Sequence, residues 1–132
     1  MYQDTLKTWH NMLEEKNPIL LNTILAEDVV FYSPVVFSPQ HGKAITVMYL
    51  TGAFHVLVGQ GHFHYIHETI TETTAVLEFM TKIDDVEVNG VDIIHFDEKG
   101  LIKEFKVMVR PLQAVNAIHQ KMGEMLAQMK RQ

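Results

Sequence analysis

The fold is decided by the stretch from Gly90 to Arg110, which reads GVDIIHFDEKGLIKEFKVMVR. Apolar and polar residues alternate on both sides of Glu98-Lys99-Gly100, a sequence typical of a hairpin turn. The alternation predicts two antiparallel strands, Val91 to Phe96 and Leu101 to Arg110. Successive side chains of a strand point to opposite sides. One face of the hairpin, the predicted core face, therefore collects Asp92, Ile94, Phe96, Phe105, Val107 and Val109.

Three more strands are predicted on the N-terminal side of this hairpin. Phe63 to Thr71 and Thr74 to Ile83 alternate in the same way, and Asn89-Gly90 predicts a further hairpin turn. Val29 to Tyr32 is β-branched and aromatic and predicts a strand that Ser33-Pro34 interrupts. Because proline cannot donate to a sheet, this strand is expected at an edge or with a kink.

Helices are predicted before and after the strands. Tyr2, Leu6, Trp9 and Leu13 recur at helical spacing, with Asp4 as a possible cap and Asn17-Pro18 as the end. Shorter helices are predicted over Ile19 to Ala26 and Ala44 to Leu50, while Gly52 to Gly61 is expected to be irregular. The C-terminal segment predicts an amphipathic helix with the apolar residues Leu112, Val115, Ile118, Met122, Met125 and Met129. Helices first and hairpins later are typical of an α+β protein, in which helices cover one face of an antiparallel sheet.

Length and charge exclude several classes of protein. The 132 residues, with 47% hydrophobic, suit one globular domain over residues 1–132. Eleven basic and sixteen acidic residues give a net charge of −5, which argues against nucleic acid or an anionic membrane as a partner. No apolar run is long enough for a membrane span, so we expect a cytoplasmic protein. Without cysteine there is no disulfide and no thiolate nucleophile.

The second face of the predicted hairpin mixes apolar and charged side chains. It collects Val91, Ile93, His95, Glu104, Lys106, Met108 and Arg110. Such a mixture fits a protein–protein interface, which predicts a symmetric homodimer through the outer sheet face. The alternative is a solvated face with scattered hydrophobic residues, which monomers also carry.

The order and spacing of these elements resemble the NTF2-like superfamily and, within it, the SnoaL-like proteins. The resemblance rests on Ala26 to Pro34 (AEDVVFYSP), His41 to Ala44 (HGKA), Gly100 to Phe105 (GLIKEF) and Arg110 to Leu112 (RPL). It implies a cystatin-like cone, in which a curved antiparallel sheet wraps around three N-terminal helices and a C-terminal helix is added. It also implies an apolar cavity at one end of the cone and dimers through the outer sheet face.

The same resemblance allows catalytic templates to be compared residue by residue. The steroid isomerases of the superfamily use a base and two proton donors on a developing enolate oxygen. Their base aspartate falls on Ser33, their helix tyrosine on Trp9 and their strand acid on Asp92 or near it. The first two roles are therefore lost. The epoxide hydrolase template also fails, since no arginine precedes Arg110. Cyclases and dehydratases of the superfamily remain open, with Asp92 as acid or base.

Asp92 is the candidate catalytic residue. A carboxylate on the core face is desolvated, which raises its pKa and suits it to general acid work; the alternative is a wet or lysine-paired carboxylate at the strand's end. The resemblance suggests the rest of an apolar ligand pocket. Its expected lining is Trp9, Leu13, Phe31, Ser33, Tyr49, Tyr65, Phe79, Ile94 and Phe105.

The resemblance implies a small, uncharged, apolar ligand, cyclic or polyketide-like. His62 and His64 share one strand face at a spacing that can ligate a metal. No third ligand stands at a recognisable spacing, so no metal and no other cofactor is expected. Two functions stay open: an isomerase, cyclase or dehydratase that uses Asp92, and a non-catalytic module that binds a ligand or a protein.

Overall fold

The computed structural model describes residues 1–130. The chain begins with helix α1 (Tyr2–Glu15), a short 3-10 turn (Pro18–Leu20) and α2 (Leu21–Ile24). Strands β1 (Leu25–Tyr32) and β2 (Gln40–His41) follow, then helix α3 (Lys43–Leu57). The second half holds β3 (His64–Ile70), β4 (Thr74–Ile83), β5 (Val86–Phe96), β6 (Ile102–Arg110) and helix α4 (Leu112–Lys130). Helices first and hairpins later is the α+β order that the sequence predicts.

The six strands form one sheet in the order β2-β1-β6-β5-β4-β3. All neighbours are antiparallel except β1 and β6, which run parallel. The register shifts within β1–β6, β3–β4 and β5–β6, and such irregularities increase the bend of a sheet. The predicted strand at Val29 is next to the edge, where only the two-residue β2 covers it.

The two faces of the long strands divide as the alternation predicts. Asp92 pairs with Val107 and Ile94 pairs with Phe105, and all four side chains are buried. On the opposite face Ile93 pairs with Lys106, and both remain partly exposed. The helices cover the first face, so the core lies between it and the apolar sides of α1, α3 and α4.

The predicted turn at Asn89-Gly90 is wrong. Both residues lie inside β5, and the hairpin reverses at Asp84 and Asp85, where Asp84 takes a left-handed φ of 55°. Gly90 serves packing instead, since a Cβ there would lie 2.3 Å from the Phe79 ring on β4. A glycine inside a strand can mark such a close approach as well as a turn.

Tertiary packing also corrects the helices. The predicted helix from Ile19 ends at Ile24, because Leu25 already starts β1, and Asp4 lies in the first turn of α1 without capping it. The stretch from Gly52, expected to be irregular, continues α3 to Leu57. Gly52 faces α4, where a Cβ would lie 3.3 Å from Met122, so the missing side chain lets the two helices approach. None of the helices within residues 1–130 is long and apolar enough to cross a membrane.

Candidate functional site

Asp92 occupies the middle of β5 on the buried face of the sheet. Its neighbours across the sheet are Leu77 on β4 and Val107 on β6, both apolar. The residue is only 5% exposed. A carboxyl group in such surroundings loses most of its hydration, so its ionised form is costly.

A hydrogen-bond relay joins Asp92 to two other elements of the fold. The Nε1–H of Trp9 on α1 donates to Tyr65 Oη on β3 at 2.9 Å. The Tyr65 hydroxyl in turn donates to Asp92 Oδ2 at 2.6 Å. Three segments that are 56 and 27 residues apart in sequence thereby meet at one carboxyl group.

Burial dominates the ionisation of this site. Desolvation raises the pKa of Asp92 to about 7, although the hydrogen bond from Tyr65 acts in the opposite direction. Burial also raises the pKa of Tyr65 well above its usual value, and the nearby Asp92 raises it further. At neutral pH Asp92 is therefore divided between its acid and carboxylate forms, as a general acid or base requires.

Asp92 faces a small apolar cavity of about 30 Å³. The rest of its lining carries no charge and consists of Trp9, Leu13, Leu50, Ala53, Phe54, Leu57, Val58, Phe63, Phe105 and Val107. A second void of about 20 Å³ shares Ala53, Leu57 and Val107 with the first and continues to Phe31 and Ser33. A void of this size holds about one water molecule. A larger guest therefore needs the lining side chains to move.

The structure brings together most of the residues that the sequence nominated. Trp9, Leu13, Asp92 and Phe105 line the first void, and Phe31 and Ser33 line the second. Tyr65 holds the Asp92 carboxyl group. The remaining three lie outside both linings: Tyr49 packs against Phe31 with ring centroids 6.1 Å apart, and Phe79 and Ile94 are buried in the core.

Sequence reasoning missed the wall that α3 supplies. Leu50, Ala53, Phe54 and Leu57 fall at intervals of three, one and three residues, the pattern of one helix face. Reading Gly52 to Gly61 as irregular hid this pattern. Val107 was placed on the core face but not in the pocket, and Phe63 was read only as the start of a strand.

Ser33 has a local structural role. Its Oγ accepts a hydrogen bond from the backbone N–H of Val35 at 3.2 Å, which fixes the turn after β1. A serine hydroxyl has no basic partner here among the described side-chain hydrogen bonds, so it does not replace a carboxylate base.

No third ligand accompanies the predicted His62 and His64 pair within residues 1–130. His62 and His64 are exposed, and His64 Nδ1 lies 3.1 Å from the His62 carbonyl oxygen. Within residues 1–130 no three His, Asp or Glu side chains are grouped closely enough to hold a metal ion. His10 instead pairs with Glu68 at 2.6 Å, and its ring packs edge-on against Tyr65.

A larger groove of about 440 Å³ lies on the other face of the sheet, away from Asp92. Apolar and charged residues alternate around it, among them Val76, Glu78, Val91, Met108 and Arg110. Met108 is 51% exposed, which is high for a large apolar side chain in the middle of a sheet.

Comparison with known proteins identifies similar folds. No protein-family model and no curated protein matches the sequence. A steroid delta-isomerase from Pseudomonas aeruginosa has 31% identity and a TM-score of 0.93, over 99% of this chain and 95% of that one. An uncharacterised protein with a cystatin-like fold from Silicibacter pomeroyi has 27% identity and a TM-score of 0.87, over 96% and 88%. A putative SnoaL-like polyketide cyclase from Jannaschia, at 10% identity and a TM-score of 0.69 over 89% and 92%, shows the fold alone.

Proposed function

The chain belongs to the NTF2-like superfamily, and from that premise we propose that its interior cavity binds a small, uncharged, largely apolar molecule whose carbonyl oxygen contacts Asp92. The observation that carries this proposal is a buried carboxyl group at the wall of an otherwise apolar cavity. Apolar walls with one or two placed polar groups are typical of small-molecule sites.

The proposed chemistry is proton transfer at a carbon next to the carbonyl group. The carboxylate form of Asp92 takes the α-proton from carbon; the acid so formed donates a hydrogen bond to the enolate oxygen, stabilises the charge that has developed there, and returns a proton to carbon. Its pKa of about 7 lets the same group give and take a proton at neutral pH. Isomerisation, cyclisation and dehydration of a carbonyl compound can each proceed through such a step.

The likeness to a steroid delta-isomerase supports the scaffold but not that enzyme's full mechanism. The superfamily's base position corresponds to Ser33, which is engaged with Val35. The tyrosine position corresponds to Trp9, whose N–H already donates to Tyr65. The template's strand acid falls on Asp92 or near it, and we assign Asp92 both acid and base roles.

Carbon acidity gives a test that does not need the natural substrate. We expect the protein to accelerate the exchange of the α-protons of cyclohexanone for deuterium in D₂O, followed by NMR. The Asp92→Asn variant should lose about 10²-fold or more of this acceleration, the usual contribution of a general acid or base. Asp28→Asn, which changes an exposed acid on β1, is the matched control and should keep it.

A non-catalytic module that binds a ligand or a protein is the second candidate, and the small size of the void favours the form that binds a protein. If cyclohexanone saturates the cavity but its protons exchange at the same rate with and without protein, the site binds and does not catalyse. If no saturable binding is found either, the pocket proposal is wrong.

We also propose that a second copy of the chain covers the outer sheet face. This face carries the apolar side chains of Val91, Ile93 and Met108. It also carries charges of both signs, such as Glu104 and Lys106, with Glu104 Oε1 4.0 Å from Lys106 Nζ. A two-fold axis would place such a face against itself. We expect sedimentation to give the mass of a dimer, and Met108→Glu to give the mass of a monomer. Phe37→Glu, in the exposed loop before β2, is the control that should remain dimeric.

A further inference from the structure

The relay of Trp9, Tyr65 and Asp92 has a fixed direction. An indole N–H can donate but cannot accept, so Trp9 must use a lone pair of the Tyr65 oxygen. Tyr65 has one hydroxyl proton, and Asp92 Oδ2 is its only acceptor among the described residues. If Asp92 donated to Tyr65 instead, the tyrosine proton would be buried without a partner, which costs about 1–3 kcal/mol.

This direction determines where Asp92 carries its own proton. Oδ2 already accepts from Tyr65, so the proton of the neutral acid belongs on Oδ1. Among the fully buried side-chain oxygens and nitrogens of residues 1–129, only the Thr46 hydroxyl lacks a hydrogen-bond partner. Oδ1 has no protein partner either, so it must keep some accessible surface, and the accessible space beside Asp92 is the apolar cavity.

We propose that Tyr65, held by Trp9, is a positioning residue: it confines the Asp92 proton to Oδ1 and sets the pH at which the cavity changes from donating a hydrogen bond to accepting one. The inference rests on the proposed ligand site and adds to it the control of that site. Below that pH the neutral Asp92 favours guests whose oxygen accepts a hydrogen bond but cannot donate one. Above that pH, the transition, the ionised Asp92 disfavours the same guests.

Few other ionisable groups act on this pair. Across the sheet Asp92 faces Leu77 and Val107, and the α3 wall is apolar. His10 of α1 packs edge-on against the Tyr65 ring and pairs with Glu68 of β3. Glu68 raises the pKa of Tyr65. Within the relay, Tyr65 hydrogen-bonds to Asp92 directly and Trp9 does not.

The expected signature is a pH-dependent affinity for a neutral ketone. The probe is cyclohexanone, and its isostere methylenecyclohexane, which lacks the acceptor oxygen, is the reference guest. Because only the neutral acid donates, the affinity for cyclohexanone should fall above the transition by roughly 2- to 12-fold, the worth of one lost hydrogen bond. The affinity for methylenecyclohexane should change little. Trp9 is the only tryptophan, so its single indole N–H resonance reports occupancy in an NMR titration.

Two hydroxyl deletions test the role of Tyr65. Tyr65→Phe removes the hydrogen bond that holds the pKa of Asp92 down, so the transition should move to higher pH. Below the transition its affinity for cyclohexanone should fall about twofold, because the Asp92 proton is then divided between the two carboxyl oxygens and only one of them faces the guest. Tyr49→Phe removes a hydroxyl that makes no described hydrogen bond to the relay and should change neither quantity.

The carboxyl ¹³C shift of Asp92, followed against pH in the free protein, makes the test independent of any guest. Upward displacement of its midpoint in Tyr65→Phe but not in Tyr49→Phe supports the inference. Equal midpoints in the two variants overturn it, even if cyclohexanone binds. Failure of both guests to bind, with the midpoint displaced, overturns the ligand site and leaves the Tyr65–Asp92 coupling established. Equal binding of both guests at all pH values keeps the cavity as a ligand site and overturns the proposed switch.

Discussion

Replacing Asp92 by asparagine should change how the stability of the protein depends on pH. The substitution keeps the size and planarity of the side chain and an oxygen that accepts from Tyr65, but removes the ionisation. In the native protein burial raises the pKa of Asp92 from 3.8 to about 7. The folded state therefore holds this proton more tightly than the unfolded chain does.

The sign and size of the effect follow from linkage. A raised carboxyl pKa stabilises the fold below the unfolded value, and this stabilisation is lost as the pH rises towards 7. A shift of about three units corresponds to about 4 kcal/mol in total. Between pH 5 and pH 8 the native protein should lose about 3 kcal/mol relative to Asp92→Asn.

Urea unfolding at pH 5, 6, 7 and 8, read by far-ultraviolet circular dichroism, measures this difference. Other ionisable groups are common to both proteins and cancel in the comparison. Asp28→Asn, on the exposed side of β1, should run parallel to the native protein at every pH. Parallel curves for the native protein and Asp92→Asn would show that Asp92 is ionised at no cost, which refutes the desolvation on which the site rests.

Four further substitutions test the packing of the fold and of the cavity. Gly90→Ala should destabilise the protein by about 3 kcal/mol in urea unfolding, because its Cβ meets the Phe79 ring. Gly123→Ala is the control: a Cβ at this position would have no neighbour within 4 Å, so the substitution should stabilise helix α4 by about 1 kcal/mol. Equal effects at both glycines would contradict the packing role of Gly90. Thr81→Val should lower the free energy of unfolding by about 1–2 kcal/mol, because the buried Thr81 hydroxyl donates to the carbonyl oxygen of Leu57 at the end of α3. An unchanged urea midpoint would argue against that hydrogen bond. Ala53→Val adds two methyl groups beside both voids. It should abolish cyclohexanone binding in the NMR titration and leave the melting temperature within a few degrees of the native value. Undiminished binding would show that cyclohexanone binds elsewhere.

The pattern of the strands was readable from the sequence because it depends on local geometry. Side chains of a strand alternate, so the composition of the stretch from Gly90 to Arg110 already separated Asp92 and Ile94 from Ile93 and Lys106. The same period nominated Asp92 as a buried acid, and its burial in the structure agrees with that prediction.

Glycines carried less information, because their sequence context does not tell turn from packing. Asn89-Gly90 has the composition of a hairpin turn, yet Gly90 makes room for Phe79 and the chain reverses at Asp84. Gly52 likewise suggested an irregular segment but allows α3 to approach α4. In both cases the deciding contact comes from a residue far away in the chain.

The sequence by itself thus determined the α+β order, the two faces of the sheet and the buried acid. Only the tertiary structure decided what Asp92 touches. Its partner Tyr65 is 27 residues away, and the Trp9 that orients Tyr65 is another 56 residues away. Periodicity states which side of an element is buried, but the approach of α1, β3 and β5 depends on how the sheet bends and how α3 packs. For that reason the donor direction of the site, and with it the proposed control of its proton, could not be read from the sequence.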